Sequence, residues 1–368
     1  MYNLFMATPI FINPPFQQCH GSTIEILPDG SIVVAWFAGT REGHPDTSIW
    51  LCKQQNGVWS KPYVIAKCKD MPHWNPVLYS NGEMLTLYFK VGLHPSSWDT
   101  WEVHLNFDCQ TIDQPIMLQS VDSEYGKMTY GPVRGKMIKT SHGTLIAPSS
   151  IEKMEGYSTG WHIRALVKWE SVIHRSTDNG KTWEPVFIDY PRKKDALGGI
   201  IQPSVWETSS GHLAALFRST DGLLYSSESW DDGKSWHSAN PTSVPNPNSA
   251  VDVAKCHDFI AMVYNPISGD WVRRSPLSIS VMRLDALQFP QPIEMKFSTP
   301  VDIENGLGNY SYPAMVNTSV ENKTFAVTYT WNRTTIAFAN VATDKDGNTV
   351  LLPGPQPYDF EKGYFVDM

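Results

Sequence analysis

Short apolar runs separated by glycine-containing turns fill the chain from end to end. The runs are alternating or continuous in their apolar residues, and turns such as Pro28-Asp29-Gly30 and Ser80-Asn81-Gly82 divide them. Alternation with a period of two is typical of strands, whereas no segment longer than about ten residues has the period of a helix. The pattern therefore predicts an all-β protein.

A larger unit, an apolar run, a turn with glycine and a second apolar run, recurs six times. The six predicted inner hairpins are Thr23–Phe37, Val77–Phe89, Val133–Ala147, Ser204–Phe217, Val251–Tyr264 and Ala314–Tyr329. Most are followed by an outer strand pair, such as Ser48–Trp59 or Leu223–Trp236. Four-stranded units repeated at roughly even spacing predict one domain over residues 1–368, a six-bladed β-propeller with radially packed sheets.

The two ends of the chain and the third unit refine this prediction. Ala7–Ile12 is expected to form a strand without a hairpin partner that completes the last blade and closes the ring. Residues from about 345 to 368 are expected to form a tail. The third unit has room for a loop around Glu152–Trp169, and a seventh blade is the alternative architecture.

Two eight-residue stretches, at 176–183 and 229–236, share the template Ser-x-Asp-x-Gly-x-Thr/Ser-Trp. In each, the aspartate is expected to accept hydrogen bonds from backbone N–H groups of its own turn. The glycine supplies a positive φ and the tryptophan covers the apolar underside. The residues in these roles are Asp178, Gly180 and Trp183 in the first copy, and Asp231, Gly233 and Trp236 in the second.

Composition and charge exclude several classes of function. The net charge is −8 and there is no run of lysine or arginine, so nucleic-acid binding is not expected. No apolar stretch approaches the length of a membrane span, and no signal peptide is visible, which predicts a cytoplasmic protein, or a secreted one if a leader has been removed. Five scattered cysteines predict free thiols and no metal site, and no cofactor is expected. We expect a monomer or a weak homo-oligomer.

A polar or small residue precedes each predicted inner strand, and four of the six are followed directly by proline, which is tolerated at the start of a strand. These residues are His20, Asn75, Gly131, Gln202, Asn248 with Asp252, and Tyr312. Inner strands of a propeller converge on its central channel, so these side chains are predicted to meet at one mouth. Ordinary turn chemistry is the alternative explanation for each of them singly, but His, Gln and Tyr are poor turn residues.

Arginines add a second set of candidates. Arg41 follows the first inner hairpin with Asp46 close behind, and the other arginines lie at strand ends farther along the chain: Arg218, Arg273, Arg274 and Arg333. Guanidinium groups can hold a carboxylate bidentately, so arginines gathered at one face would bind an anion. A surface charge or an ion-pair partner is the alternative for each one taken alone.

These motifs resemble the sialidase-like superfamily of Asp-box propellers, also called neuraminidase repeats, over roughly residues 15–340. The resemblance is closest to a branch with His-x-Ser-Thr, Trp-Asn-Pro-Val, Gln-Pro and Pro-Asn-Pro-Asn-Ser motifs. It implies that Arg218 and Arg274 hold a substrate carboxylate, that Asp46 is the acid/base, and that Tyr310 or Tyr312 is the nucleophile. Two positions depart from the family pattern. His20 stands where the first arginine is expected, and Gln202 where the activating glutamate is expected.

The resemblance implies an exo-acting glycosidase that cleaves a terminal bond of an acidic, sialic acid- or uronate-containing oligosaccharide. A polysaccharide lyase acting by β-elimination on a rhamnosyl-glucuronate linkage is one alternative; a glycan-binding lectin and a protein-interaction propeller are two more. In the enzyme hypothesis His20 and a tyrosine, Tyr312 or Tyr130, move protons, and Arg41 with Asp46 orients the ring. Trp74, Trp161 and Trp331 are candidates for stacking on sugar faces.

Overall fold

A computed structural model describes residues 7–154, 167–192, 197–284 and 295–365. Over these residues the regular structure consists of strands alone, and no helix is present that could span a membrane. The prediction of an all-β protein is therefore confirmed, and the sheets form a propeller-like arrangement.

Each of the six predicted hairpins is present as an antiparallel strand pair. The strands of the first unit are Gln18–Ile26, Ile32–Gly39, Ser48–Gln55, Val58–Trp59 and Tyr63–Ala66. Those of the second are His73–Ser80, Leu85–Val91, Asp99–Leu105 and Ile116–Met117. A two-stranded ribbon, Ser120–Ser123 with Gly126–Thr129, separates the second unit from the third.

The third and fourth units share one eight-stranded sheet. The third contributes Ile138–Lys139, Leu145–Met154, Val167–Ser176 and Glu184–Phe187; the fourth contributes Gly198–Ser209, His212–Ser219, Leu223–Ser229 and Asn240–Pro245. They are joined by a short parallel contact between Lys168-Trp169 and Gly198-Gly199. This contact merges two units into one sheet, so the number of sheets does not give the number of blades. The count of six blades stays a prediction.

The last two units complete the ring. The fifth consists of Asp252–Cys256, Phe259–Tyr264, Leu277–Arg283 and Val301–Glu304; the sixth consists of Tyr310–Ser319, Thr324–Trp331, Thr335–Thr343 and Thr349–Leu352. Thr8–Pro9 pairs with the third strand of the sixth unit, at Phe338 and Ala337. The N-terminal segment thus completes the last sheet as predicted.

Two expectations about loops and ends need adjustment. Phe11–Ile12 pairs in parallel with Tyr358–Asp359, which in turn pairs with Tyr364–Phe365, so part of the expected tail forms a small sheet with the N-terminal segment. In the third unit both edges of the expected loop are strand, since Glu152 pairs with Trp169.

The two template turns have the predicted hydrogen bonds. The Asp178 carboxylate accepts from the backbone N–H of Thr182 at 2.9 Å, and Asp231 accepts from that of Ser235 at the same distance. The φ angles of Gly180 and Gly233 are 84° and 81°. Trp183 and Trp236 pack against buried apolar clusters, which confirms the interpretation of these turns.

Two further turns have the same hydrogen bond but do not match the sequence template. Asn106 accepts from the backbone N–H of Gln110 at 2.9 Å, and Asp344 accepts from that of Asn348 at 3.1 Å. Both repeat the spacing of four residues between acceptor and donor, but neither has the glycine and tryptophan at the template positions. The turn is therefore a property of the supersecondary unit rather than of one motif.

The buried core consists of clusters between adjacent sheets. One cluster joins the fifth and sixth units through residues such as Phe259, Phe325 and Tyr329, and another joins the first and sixth through Trp36 and Phe338. Packing between neighbouring sheets therefore fixes the inner strands relative to each other.

Candidate active site

A bulge at the start of the inner strand recurs in four of the six units. The pairing register shifts between His20 and Thr23, Trp74 and Val77, Ile201 and Ser204, and Ser311 and Ala314. A bulge leaves an extra residue out of the ladder and re-aims its side chain. The entrance residues therefore leave the regular alternation of their strands.

The residue inside each bulge has a left-handed backbone. The φ angles are 65° for Gly21, 36° for Asn75, 54° for Gln202 and 56° for Tyr312. Glycine adopts this region freely, but a side chain there costs about 1–2 kcal/mol. Such strain persists only where the surrounding structure enforces it, and it is common at functional sites. Gly131 and Asn248, the entrance residues of the third and fifth units, are also left-handed, with φ of 83° and 57°.

Tyr312 is at the centre of the candidate site. Its phenol oxygen accepts a hydrogen bond from Arg218 Nη1 at 2.9 Å and a longer one from Gln202 Nε2 at 3.4 Å. The guanidinium carbons of Arg134 and Arg274 lie 5.3 Å and 5.6 Å from the centre of its ring. Three arginines from distant parts of the chain thus surround one phenol.

These arginines are buried and are oriented by neutral groups. Arg218 donates from Nε to Asn248 Oδ1 at 2.5 Å and from Nη1 to Gln202 Oε1 at 3.0 Å, and Arg274 donates to the Asn248 carbonyl at 3.0 Å. Within the described ranges, no carboxylate lies within ion-pair distance of Arg134, Arg218 or Arg274. Burial and the neighbouring Arg218 lower the pKa of Arg274 to about 10. Carboxylates act on these cations only from beyond ion-pair distance: Asp252 on Arg134, Glu152 on Arg218 and Glu42 on Arg274. Three desolvated cations without a direct carboxylate partner favour the binding of an anion.

His20 lies against Tyr312, with the ring centres 4.2 Å apart, and its Nδ1 is 2.9 Å from Thr330 Oγ1. Burial, together with the charges of Arg333, Arg274, Arg134 and Arg218, lowers its pKa well below the usual value. The imidazole is therefore neutral at neutral pH. It can accept a proton, but it cannot donate one as an imidazolium would.

The rim beside His20 carries Arg333, Glu42 and Arg41. Arg333 donates to the Glu42 carboxylate, and Arg41 is exposed and lines a narrow cleft together with His20 and Arg333. The predicted residues Arg41 and Arg333 thus lie near His20, whereas Glu42 was not singled out from the sequence.

Asp46 is separate from the phenol. Its carboxylate accepts from the Thr40 hydroxyl at 2.6 Å and pairs with His44 Nδ1 at 2.7 Å. Partial burial raises its pKa, but the hydrogen bonds from Thr40 and His44 outweigh burial and hold the pKa below its ordinary value. No described contact joins Asp46 to Tyr312.

The remaining predicted residues have other surroundings. Tyr310 packs in the core against Tyr329, with ring centres 6.2 Å apart, and Tyr130 packs against His174 at 5.3 Å. Of the two candidate tyrosines in the sixth unit, only Tyr312 meets the arginines.

Asp252 accepts from Ser204 Oγ at 2.7 Å and pairs with Lys136 Nζ at 2.6 Å, so it is engaged inside the ring. Asn75 is buried at the second entrance. Arg273 donates to the Gly306 carbonyl rather than joining Arg274.

Among the aromatic candidates, Trp74 is buried and donates to the Gly92 carbonyl at 2.8 Å, and Trp331 is partly exposed. Trp161 lies outside the described residues. Two other tryptophans, Trp169 and Trp271, flank Arg218, at 5.2 Å and 5.3 Å from its guanidinium carbon.

Trp271 also lies 5.5 Å from the Arg274 guanidinium, and 55% of it is exposed. The sequence reasoning missed it, although it stands three residues before Arg274. Arg134 was also missed, three residues after the entrance glycine Gly131. Reading a few residues beyond the third entrance would have found Arg134, and reading a few residues before Arg274 would have found Trp271.

Comparison with known proteins places these features in a family. The model of the BNR repeat-like domain matches residues 30–322. No curated protein matches the chain. A protein of unknown function from Dyadobacter fermentans has a similar structure, with a TM-score of 0.69 and 15% identity over 91% of this chain and 97% of that one.

Two sialidases are also similar in structure. A variant of the NanB sialidase of Streptococcus pneumoniae gives a TM-score of 0.65 and 11% identity, over 94% of this chain and 70% of that one. The Trypanosoma rangeli sialidase in complex with the inhibitor DANA gives a TM-score of 0.62 and 15% identity, over 91% and 57%. At such identities the likeness establishes the fold and leaves the reaction to be argued from the site.

Proposed function

This chain belongs to the BNR repeat-like family of sialidase-like propellers, and from that premise we propose that it is an enzyme that cleaves a terminal glycosidic bond of an acidic glycan. In this proposal the propeller has six blades, and the mouth formed by its inner strands is the active site.

The observation that carries the proposal is the group of three buried arginines around Tyr312. Burying cations without carboxylate partners costs free energy of folding. Their presence therefore favours a site whose charge is balanced when an anion binds. A sugar carboxylate fits this requirement, because hydrogen bonds from guanidinium groups to a carboxylate are strong and charge-assisted. A lectin would need the same arginines, so the proton-moving residues must be tested separately.

In the hydrolytic reaction the bond between the anomeric carbon and the leaving oxygen breaks, and the leaving oxygen takes up a proton. Tyr312 gives its phenol proton to His20 or to solvent and bonds to the anomeric carbon. Water then breaks this bond, giving its hydroxyl to the sugar and its proton to the site, so the phenol is restored. A tyrosine nucleophile is a known exception to the scheme of two carboxylates. The family resemblance assigns the proton donor to Asp46, and Arg41 orients the sugar at the rim.

One observation favours β-elimination as a second candidate reaction. The described side chains near the arginines that could serve as bases include His20, Tyr312 and Glu152, whose pKa is raised by burial and partly lowered again by the charge of Arg218, while Asp46 has a lowered pKa that makes it a poor acid. Arg218 and Arg274 would neutralise a uronate carboxylate and so acidify its α-proton. The base would take this proton, the β carbon–oxygen bond would break, the leaving oxygen would be protonated, and the product would carry a carbon–carbon double bond.

The deciding experiment incubates the protein with sialylated and with rhamnosyl-glucuronate glycans while absorbance is followed in the unsaturated-uronate band. Rising absorbance identifies a lyase, and a released sugar without it identifies a hydrolase. The His20→Ala variant separates enzyme from lectin: loss of turnover with retained binding supports the enzyme. If the wild-type protein binds acidic glycans but never cleaves them, it is a lectin and the proposal is overturned. No binding of any acidic glycan also overturns it.

A further inference from the structure

The phenol oxygen of Tyr312 faces hydrogen-bond donors only. Arg218 Nη1 and Gln202 Nε2 both point an N–H at it. A neutral phenol also has an O–H to donate, but no acceptor for that hydrogen lies within reach among the residues that the structure describes. Leaving a buried O–H unpaired costs about 1–3 kcal/mol.

The orientation of Gln202 is fixed by Arg218 rather than chosen freely. Arginine has five donors and no acceptor, so the Gln202 group that meets Arg218 Nη1 at 3.0 Å must be the carbonyl oxygen Oε1. The amide NH₂ then necessarily faces Tyr312. A glutamate at this position would offer the phenol an acceptor, whereas this glutamine offers a donor.

From this geometry we propose that the resting site holds Tyr312 as a phenolate, with Gln202 as a positioning residue that donates a hydrogen bond to it. The family's usual arrangement needs a carboxylate to remove the phenol proton. Here the proton is already absent, so Gln202 stabilises the product of that deprotonation instead of carrying it out.

More positive than negative side chains surround the phenol. Arg218 from the fourth unit, Arg274 from the fifth and Arg134 from the third favour the phenolate, while Glu42 from the loop after Ile32–Gly39 opposes it and the His20 ring is neutral. Burial also opposes ionisation, but Arg218 and Arg274 outweigh it, so the pKa of Tyr312 lies below its ordinary value.

Tyr329 provides a contrast within the same molecule. It is also buried, but its hydroxyl donates to the Glu304 carboxylate at 2.8 Å. Burial and the Glu304 charge raise its pKa far above the ordinary range. One buried tyrosine thus faces donors and the other faces an acceptor, which makes Tyr329 a matched control.

The catalytic role of this phenolate rests on the proposed function. A phenolate next to the bound sugar would serve either of the two reactions proposed there. It could attack an anomeric carbon, or it could take an α-proton as a base, without a separate carboxylate. The ionisation state itself can be measured without any substrate.

The test is the ultraviolet difference spectrum of the wild-type protein against Tyr312→Phe at neutral pH. We expect the variant to lose the phenolate absorbance of one tyrosine, and Tyr329→Phe to lose none. Gln202→Glu should remove the same absorbance, because its carboxylate replaces the donor with a negative acceptor. If Tyr312→Phe fails to fold, ¹³Cζ tyrosine NMR of the wild-type protein gives the same answer through one ring carbon shifted to the phenolate position.

A Tyr312 that titrates at the ordinary tyrosine value, about 10, would overturn the proposal. So would an unchanged spectrum in Gln202→Glu. The two proposals fail separately: a phenolate in a protein that cleaves no acidic glycan refutes only the proposed function, and glycan cleavage by a protein with a neutral Tyr312 refutes only the phenolate.

Discussion

Arg218 and Tyr312, 94 residues apart in the chain, meet at 2.9 Å between Nη1 and the phenol oxygen. Their meeting depends on two units that bring the end of one strand, His212–Ser219, next to the start of another, Tyr310–Ser319. The same guanidinium also contacts Asn248 and Gln202, so it links three entrances through one side chain.

Replacing Arg218 with lysine should weaken the binding of acidic glycans about 10- to 100-fold, because an ammonium keeps the charge but cannot occupy all three directions of the planar fork. Titration calorimetry measures the loss. Arg273→Lys is the control, since Arg273 is exposed and donates to the Gly306 carbonyl instead of the site. Equal affinities for wild-type protein and Arg218→Lys would show that the fork has no role in binding.

The exposed indole of Trp271 should contribute to ligand affinity and only slightly to folding. Its cation–π contacts with Arg218 and Arg274 lie within the folded protein, and at an exposed site their loss lowers stability by only about 0.5–1 kcal/mol. Because the indole covers the two guanidinium groups and limits the access of water to them, we expect Trp271→Ala to weaken glycan binding several-fold, with only a small decrease in the urea midpoint. Trp230→Ala, which removes a partly exposed tryptophan from the second template turn, should leave binding intact. A loss of stability in Trp271→Ala without a loss of affinity would contradict this role.

Asp252 is expected to act on stability, because its carboxylate is buried and holds Lys136, Ser204 and the Met315 N–H together. Removing one partner of a buried ion pair costs about 3–5 kcal/mol. Asp252→Asn should therefore lower the free energy of unfolding in urea by about that amount. The exposed pair Arg283–Asp346 is the control, and Asp346→Asn should cost less than about 1 kcal/mol.

A double variant separates charge from packing in the same place. Lys136→Met combined with Asp252→Leu leaves no unpaired charge, so it should recover most of the stability lost in Asp252→Asn. If the double variant is as unstable as the single one, the hydrogen bonds to Ser204 and Met315 matter more than the ion pair.

His174 should make stability depend on acid pH. Burial lowers its pKa to about 4, and Nδ1 donates to the Gly131 carbonyl while Nε2 has no partner. Between about pH 4 and pH 6.5 the unfolded chain binds a proton that the folded one does not, so stability falls as the pH falls. The whole shift corresponds to about 3 kcal/mol.

The measurement compares urea unfolding of the wild-type protein and His174→Gln at several pH values. Wild type should lose stability relative to the variant as the pH drops through that window, whatever their difference at neutral pH. Parallel curves would show that His174 is already protonated in the folded protein or equally uncharged in both states.

The sequence marks most of the entrances locally, since four of the six are followed by proline and His20 is followed by glycine. It could not distinguish Tyr310 from Tyr312. In a regular strand the two would share one face, but the bulge between Ser311 and Ala314 separates them and sends Tyr310 into the core. Bulges depend on how two strands pair, and a single strand's sequence does not specify that pairing.

Contacts between side chains of different units could also not be predicted from the sequence. Arg134 follows its entrance by three residues but contacts Tyr312, which lies 178 residues later in the chain. Asp252 was expected at the ligand, but Lys136 from another unit pairs with it. Neither partner leaves a trace in the local sequence, whereas the strand pattern and the template turns, which are local, were predicted correctly.

The left-handed residues at the strand starts have a consequence for how such a protein can change its chemistry. A bulge takes the side chain at such a point out of the regular alternation of its strand, so it can be exchanged without changing the alternation of the rest of the strand. The side chain of Gln202 or Tyr312 can then be replaced by another group at a fixed position. The propeller thus keeps its sheets while the side chains at the strand starts change, and a new reaction requires only new side chains there.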